Sequence, residues 1–293
     1  MIGRYTALMQ KLPRPLAVAV KWAMVYPRFW AQRAAARRGF REYGDRYPHP
    51  LLFVAGMPKS GTTWLERMLS SYPGYQEVLI PEATFAELRG EAGHLFELPT
   101  GAFARLRGCL VLTKMHCPGS PGNAAVLRAA GVPCVILHRD PRDVAVSYVH
   151  YVKGTPWHQD FPALRDLAPE ECLRHFIRVR LPEFARWMRS WRDHRDPDKS
   201  LMLSYEELLA DPAAALRRIL DLFGLEAGAE LVRELVERNR FEASHASGEG
   251  GGFFRKGIAG DWKNHFDESL KREFRDVDGK LLVEFGYETG MEW

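Results

Sequence analysis

The stretch FVAGMPKSGTTWLERML, Phe53–Leu69, decides the fold. Its apolar opening completes a short run, LLFVAG (Leu51–Gly56), that reads as a buried strand. GMPKSGTT follows, and from Thr62 the apolar residues recur at helical spacing. A strand, a glycine-bearing loop and a helix in that order present backbone N–H groups and a helix N-terminus to an anion. The nucleotide loop of this type is G-x-x-x-x-G-K-[ST]. Gly56 and Gly61 keep its first spacing, but Thr62 stands where the lysine belongs and Lys59 lies inside the loop. Without that lysine the loop is a poor holder of a triphosphate with Mg²⁺. It is still suited to one phosphate, with Lys59 reaching a neighbouring group, Thr62 and Thr63 offering hydroxyls and Trp64 an aromatic face. The bland alternative, an ordinary turn, fits poorly with two glycines, a lysine and two threonines at one strand–helix junction.

Outward from this unit, CLVLTKM (Cys109–Met115), CVILHR (Cys134–Arg139) and SLMLSY (Ser200–Tyr205) read as further strands. Helical patterns cover Thr62–Ser71, Asn123–Ala130, Pro141–Val152, Pro169–His194, Pro212–Phe223, Ala229–Arg238 and Asp267–Phe285. Strands alternating with helices predict an α/β fold: a central, mostly parallel sheet flanked by helices, with a P-loop-like strand–loop–helix. SHASGEGGGFFRKGIAG (Ser244–Gly260) has no period and reads as a loop that is mobile before ligand arrives. With no repeat and no linker, the expectation is one domain over residues 49–293 behind an extension, residues 1–48.

The composition is globular, 46% hydrophobic and 27% charged over 293 residues, enough for a sizeable core. The net charge of +4 hides an asymmetry: residues 1–50 hold ten Lys/Arg against two Asp/Glu. No nucleic-acid partner is expected, but the basic, partly apolar residues 1–45 suit either a helix packed on the domain or a membrane surface. PLAVAVKWAMVYPRFW (Pro15–Trp30) is broken by Lys21 and Pro27 and is too short to span a bilayer. Cys109, Cys117, Cys134 and Cys172 show no metal or disulfide spacing, which points to reduced cysteines and a cytoplasmic setting, with peripheral membrane attachment as a variant of it.

HRD at His138–Asp140 echoes a kinase catalytic loop, but Ala145 stands where that loop needs asparagine and no D-F-G follows. PKSGTTWL (Pro58–Leu65), HRDPRDVAVSYVHY (His138–Tyr151) and FRKGIAGDWKNHF (Phe254–Phe266) instead resemble, in order and spacing, the three nucleotide-binding segments of the cytosolic-type sulfotransferases. The resemblance covers roughly Leu51 to Phe285. It implies a sulfotransferase fold and the donor 3′-phosphoadenosine 5′-phosphosulfate (PAPS), with 3′,5′-bisphosphate (PAP) as product. By the same resemblance Lys59, Ser60, Gly61, Thr62 and Thr63 hold the 5′ end and Trp64 lies against the adenine. Arg139 and Ser147 hold the 3′-phosphate, joined by Arg255, Lys256 and Gly257, while Tyr205 and Phe241 touch the adenine. Asn239-Arg240 replaces the family's usual Thr-Ser before that Phe, so a buried core aromatic is an open reading for Phe241.

LTKMHCP (Leu112–Pro118) supplies the chemistry. On an extended segment Lys114 and His116 share one face, at the strand end where α/β sheets bind ligands. An imidazole that titrates near neutrality suits a general base. The resemblance gives His116 that role, Lys114 the transferring group and Lys59 the charge growing on the bridging oxygen. No metal is expected, because cationic side chains carry the electrostatics. After GDW a dimer motif begins at Lys263, but Asp267, Glu268 and Arg272 replace its key residues, leaving the oligomeric state open. The acceptor, a small molecule with a hydroxyl or amine, would meet variable loops bearing Phe85, Leu95, Phe96, Trp157 and Phe161, which suits an apolar or lipid-like compound. Competing readings are a P-loop small-molecule kinase and a non-catalytic nucleotide-binding or membrane-adaptor protein.

Overall fold

A computed structural model describes residues 12–89, 96–239 and 257–293. Five parallel strands form its sheet, in the order β2-β3-β1-β4-β5: β1 Leu51–Gly56, β2 Gln76–Glu77, β3 Val111–Met115, β4 Cys134–His138 and β5 Ser200–Ser204. Every residue of β1 is buried, because helices cover both faces of a parallel sheet. Leu51, Phe53 and Ala55 point into one core with Val111, Met115 and Ile136. Leu52 and Val54 point into the other with Leu112, Val135 and Leu137. Each such side chain stabilises the fold by about 1.5–3 kcal/mol over its exposed state.

The first core is closed by α4 (Pro121–Ala130), α5 (Pro141–Lys153), α7 (Pro169–His175), α8 (Leu181–His194), α12 (Glu268–Asp278) and α13 (Lys280–Glu284). The second is closed by α2 (Thr62–Ser70), α9 (Tyr205–Ala210), α10 (Pro212–Leu222) and α11 (Ala229–Arg238). The short helices α3 (Pro81–Arg89) and α6 (Phe161–Leu164) lie in the connections after β2 and α5.

The basic segment forms one helix, α1 (Arg14–Tyr43), beside the β2 edge. It runs through Pro27, whose missing N–H frees the Ala23 carbonyl; both residues are exposed, so water can satisfy it. Phe29 and Ala36 are buried in the first core. Gln32 Oε1 accepts from Leu79 N at 3.0 Å, Ala36 O from Leu110 N at 3.1 Å, and Arg28 pairs with Glu77 at 2.9 Å. At Gly39 an added Cβ would lie 1.9 Å from Gly74 O, so only glycine allows this approach. The helix is thus packed on the sheet, and no helix among the described residues is long and apolar enough to cross a membrane.

Several boundaries differ from the sequence reading. The strand expected from Cys109 starts at Val111, and Tyr205 opens α9 instead of ending β5. The Pro169–His194 helix passes through a π turn, Phe176–Arg180, just before Pro182, where the proline cannot donate to the preceding turn. The last helix is divided at Gly279. Most of the glycine-rich segment, residues 244–256, lies outside the described residues.

Candidate functional site

The loop between β1 and α2 is built for close approach. Lys59 has φ +68° and Gly61 φ +84°; a Cβ on Gly61 would lie 2.6 Å from the Tyr205 ring, and one on Gly56 1.8 Å from Thr62 Cγ2. A non-glycine residue in the left-handed region is uncommon, and it marks a sharply turned backbone at Lys59. Ser60 is fully buried, its hydroxyl donating to Met57 O at 2.6 Å with Leu137 O 3.1 Å away. It therefore ties the cradle to β4. Thr62 is buried and Thr63 half-buried at the start of α2. The Lys59 ammonium lies 4.2 Å above the Tyr151 ring. Burial, then the Arg139 and Lys114 charges, bring its pKa down to about 7.

The end of β3 places Lys114 and His116 beside this loop, as the strand pairing Ala55↔Met115 requires. His116 Nδ1 lies 2.6 Å from Gly56 O. A carbonyl only accepts, so Nδ1 carries the proton and donates, and Nε2 keeps its lone pair. Burial foremost, then Lys114, lowers the His116 pKa to about 4, while the bond to Gly56 opposes this. The imidazole is neutral at pH 7 with Nε2 unprotonated, but in the donor-free protein it is a weaker base than the near-neutral imidazole expected from the sequence, because burial and the Lys114 charge disfavour its cation. Trp187 Nε1 donates to Cys117 O at 2.8 Å and Trp191 Nε1 at 3.0 Å, fixing the segment behind it. Lys114 Nζ donates to Glu66 Oε2 on α2 at 3.0 Å.

The end of β4 carries the other cation. Arg139 is buried and donates from Nη2 to Ile258 O at 2.8 Å and from Nη1 to Lys59 O at 3.4 Å. Its guanidinium covers the Tyr205 ring at 4.3 Å, and Asp143 Oδ2 lies 3.5 Å from Nη2. Asp143 also accepts from Gly260 N and Trp262 N, at 2.7 and 2.9 Å, anchoring the segment after Gly257, itself at φ +64°. Arg139 Nε is buried and has no hydrogen-bond partner among the described residues. Such a donor is costly unless a ligand meets it. Ser147 lies half-buried further along α5. Trp64 donates to Asn239 O at 2.9 Å and meets Tyr205 edge-on at 6.4 Å.

Thus Lys59 to Trp64, Lys114, His116, Arg139 and Tyr205 gather at the C-terminal ends of β1, β3, β4 and β5, and Ser147 lies about two turns along α5; Phe241, Arg255 and Lys256 lie outside the described residues. Sequence reading passed over Glu66, Tyr151 and Asp143. Glu66 and Asp143 had a signal, an acid within an apolar helical pattern. No metal-binding cluster occurs among the described residues.

Comparison with known proteins gives one family. The model of the sulfotransferase domain matches residues 49–286. Sulfotransferase 2B1 of Homo sapiens is 28% identical over 250 residues, 76% of this chain and 65% of the human protein, so the match spans just under two thirds of that relative. Sulfotransferase 1A1 of Bos taurus is 26% identical over 298 residues, covering 94% of this chain and 96% of the bovine one. Among solved structures, mouse sulfotransferase SULT7A1 complexed with PAP shares the fold, with a TM-score of 0.64 and 18% identity over 87% of this chain and 93% of that one.

Proposed function

Because the chain belongs to the sulfotransferase domain family, we propose that it transfers a sulfuryl group from PAPS to the hydroxyl of an apolar small molecule, with His116 as general base. The observation that carries this reading is the His116 tautomer: a neutral Nε2, backed by the Gly56 carbonyl, beside two lysines. The residues suit the donor: the loop offers an anion cradle, and Arg139 Nε is a buried donor with no hydrogen-bond partner among the described residues. When bound, PAPS supplies a sulfuryl group whose bond to the bridging phosphate oxygen breaks as the acceptor oxygen bonds to sulfur.

Lys59, Gly61, Thr62 and Thr63 would hold the 5′ end, Ser60 shaping the cradle from beneath. Trp64 and Tyr205 would frame the adenine, with Phe241 as a further contact. Arg139 and Ser147 would hold the 3′-phosphate together with Arg255, Lys256 and Gly257. His116 Nε2 takes the proton of the acceptor hydroxyl, while Lys114 and Lys59 offset the growing negative charge. Residues 49–293 form the catalytic unit in this reading, with residues 1–48 applied to its edge.

An apolar acceptor would suit the aromatic side chains of the connecting segments. The Phe85 ring on α3 meets Trp22 at 4.9 Å and Tyr26 at 5.7 Å, and Lys21 Nζ lies 4.5 Å over Trp157. Such surfaces suit a ring or a lipid chain.

Calorimetric titration tests the donor. PAP is expected to bind and ATP–Mg²⁺ to bind far more weakly; the reverse order supports the kinase. Burial brings the Lys59 pKa down to about 7, and an adjacent anion favours the charged form. PAP binding should therefore take up protons at pH 7, read from its dependence on buffer ionisation heat, and Lys59→Met should remove most of the uptake. A screen of hydroxyl and amine acceptors with labelled PAPS then identifies the product.

A specific feature favours a membrane surface as well. On α1, Trp22, Tyr26 and Trp30 are exposed at four-residue spacing, and Arg37, Arg38 and Arg41 are exposed in the next turns. Aromatics at the interface and arginines at anionic headgroups, about 1 kcal/mol each, would hold the helix there. The triple variant Arg37→Glu/Arg38→Glu/Arg41→Glu leaves the packed face alone. It should lose sedimentation with phosphatidylserine vesicles; equal sedimentation of parent and variant sinks the idea.

A further inference from the structure

We propose that Glu66 is a positioning residue for the Lys114 ammonium, and that it raises the transfer rate at the expense of donor affinity. The inference rests on the sulfotransferase reading of the site. Glu66 lies on α2 one turn after Thr62, where the helix N-terminus forms the anion cradle. A helical turn is about 5.4 Å long, so a carboxylate here is close to any bound phosphate and repels it. For holding an anion alone, this is a poor place for an acid.

The contact it makes explains it. Glu66 is buried, with its side chain 10% exposed, and Oε2 accepts the Lys114 ammonium at 3.0 Å. Lys114 stands on β3 in register beside Val54, with His116 two residues on. A lysine stem has four rotatable bonds, and a charge-assisted bond to a fixed carboxylate confines its ammonium to one place. Glu66 also faces Glu77 and Arg28, but those two pair with each other at 2.9 Å. Lys114 is the direct partner that the geometry gives Glu66.

Removing the charge while keeping the shape separates the two effects. Glu66→Gln should bind PAP several-fold more tightly, because one negative charge leaves the vicinity of the cradle. Formation of PAP from PAPS should slow roughly tenfold, less than the loss of a direct transition-state donor. The rate is read with water as acceptor and again with 2-naphthol as a phenolic probe. If Glu66 acts through Lys114, Glu66→Gln should add no further slowing to Lys114→Met. Glu66→Asp keeps the charge and shortens the reach, so it should leave PAP affinity unchanged and slow transfer; it serves where the glutamine variant does not fold. Parallel loss of affinity and rate in Glu66→Gln, an unchanged rate, or equal slowing in the Lys114→Met background overturns the proposal. A parent protein that fails to bind PAP overturns the sulfotransferase reading itself, and the two failures are told apart on the parent alone.

Discussion

His116→Ala is expected to slow sulfuryl transfer about a thousandfold, within the range for loss of a general base, while PAP affinity stays within roughly twofold. The asymmetry follows from geometry. Nδ1 of His116 is held by Gly56 O, and in the proposed reading Nε2 is the atom that meets the acceptor. Its loss also leaves Gly56 O without that donor, at a cost of about 1 kcal/mol in stability. His116→Asn retains an amide able to reach Gly56 O and has no base, so it should be as inactive as the alanine variant but nearer the parent in thermal stability. Full activity of either variant with a confirmed acceptor removes His116 from the mechanism.

In the proposed reading the same imidazole should set a pH dependence. Its neutral form is present above a pKa of about 4 and is lost as pH falls through that value in the donor-free protein. After burial, the Lys114 charge is the next cause of the depression. Bound anions screen that charge and favour the imidazolium, so the pKa rises on donor binding. At saturating donor, the acid limb of kcat should therefore lie above pH 4. A limb that is unchanged in His116→Asn belongs to another group.

What could be read from the chain was local or periodic. The strand–loop–helix unit is contiguous, and Lys114 and His116 share a face through a period of two, so both were legible. Features that depend on strand order were not. Glu66 meets Lys114 only because β3 lies beside β1, and nothing in either segment announces that pairing. The Ser60 hydroxyl lies among the Met57 and Leu137 carbonyls, a contact that depends on β4 lying beside β1. Two residues of β2 give no period to detect. Pro27 looked like a break, yet packing of Phe29 and Ala36 on the sheet carries α1 through it. Tertiary burial outweighs local propensity there.

Arg139→Met should weaken PAP binding about a hundredfold, or about 2.7 kcal/mol, while kcat at saturating donor changes less than about threefold. A charge-assisted bond contributes roughly 1.5–3 kcal/mol, and Nε, which has no partner among the described residues, would supply one such donor. The site is also preorganised: the Tyr205 ring at 4.3 Å and Ile258 O at 2.8 Å fix the guanidinium plane before any ligand arrives. This adjacency follows from the β4–β5 pairing His138↔Ser204, which brings together the residues that follow the two strands. Asp143 would not be orphaned in the variant, because it still accepts from Gly260 N and Trp262 N. General damage can be separated from a lost phosphate contact by the ligand. Adenosine 5′-monophosphate lacks the 3′-phosphate, so its affinity should be nearly the same for parent and Arg139→Met. The preference for PAP over the monophosphate should collapse in the variant. Arg139→Lys keeps the charge but loses the planar fork, so it should recover only part of that preference. If Arg139→Met still prefers PAP as strongly as the parent, the 3′-phosphate is held elsewhere, and the buried Nε needs another explanation.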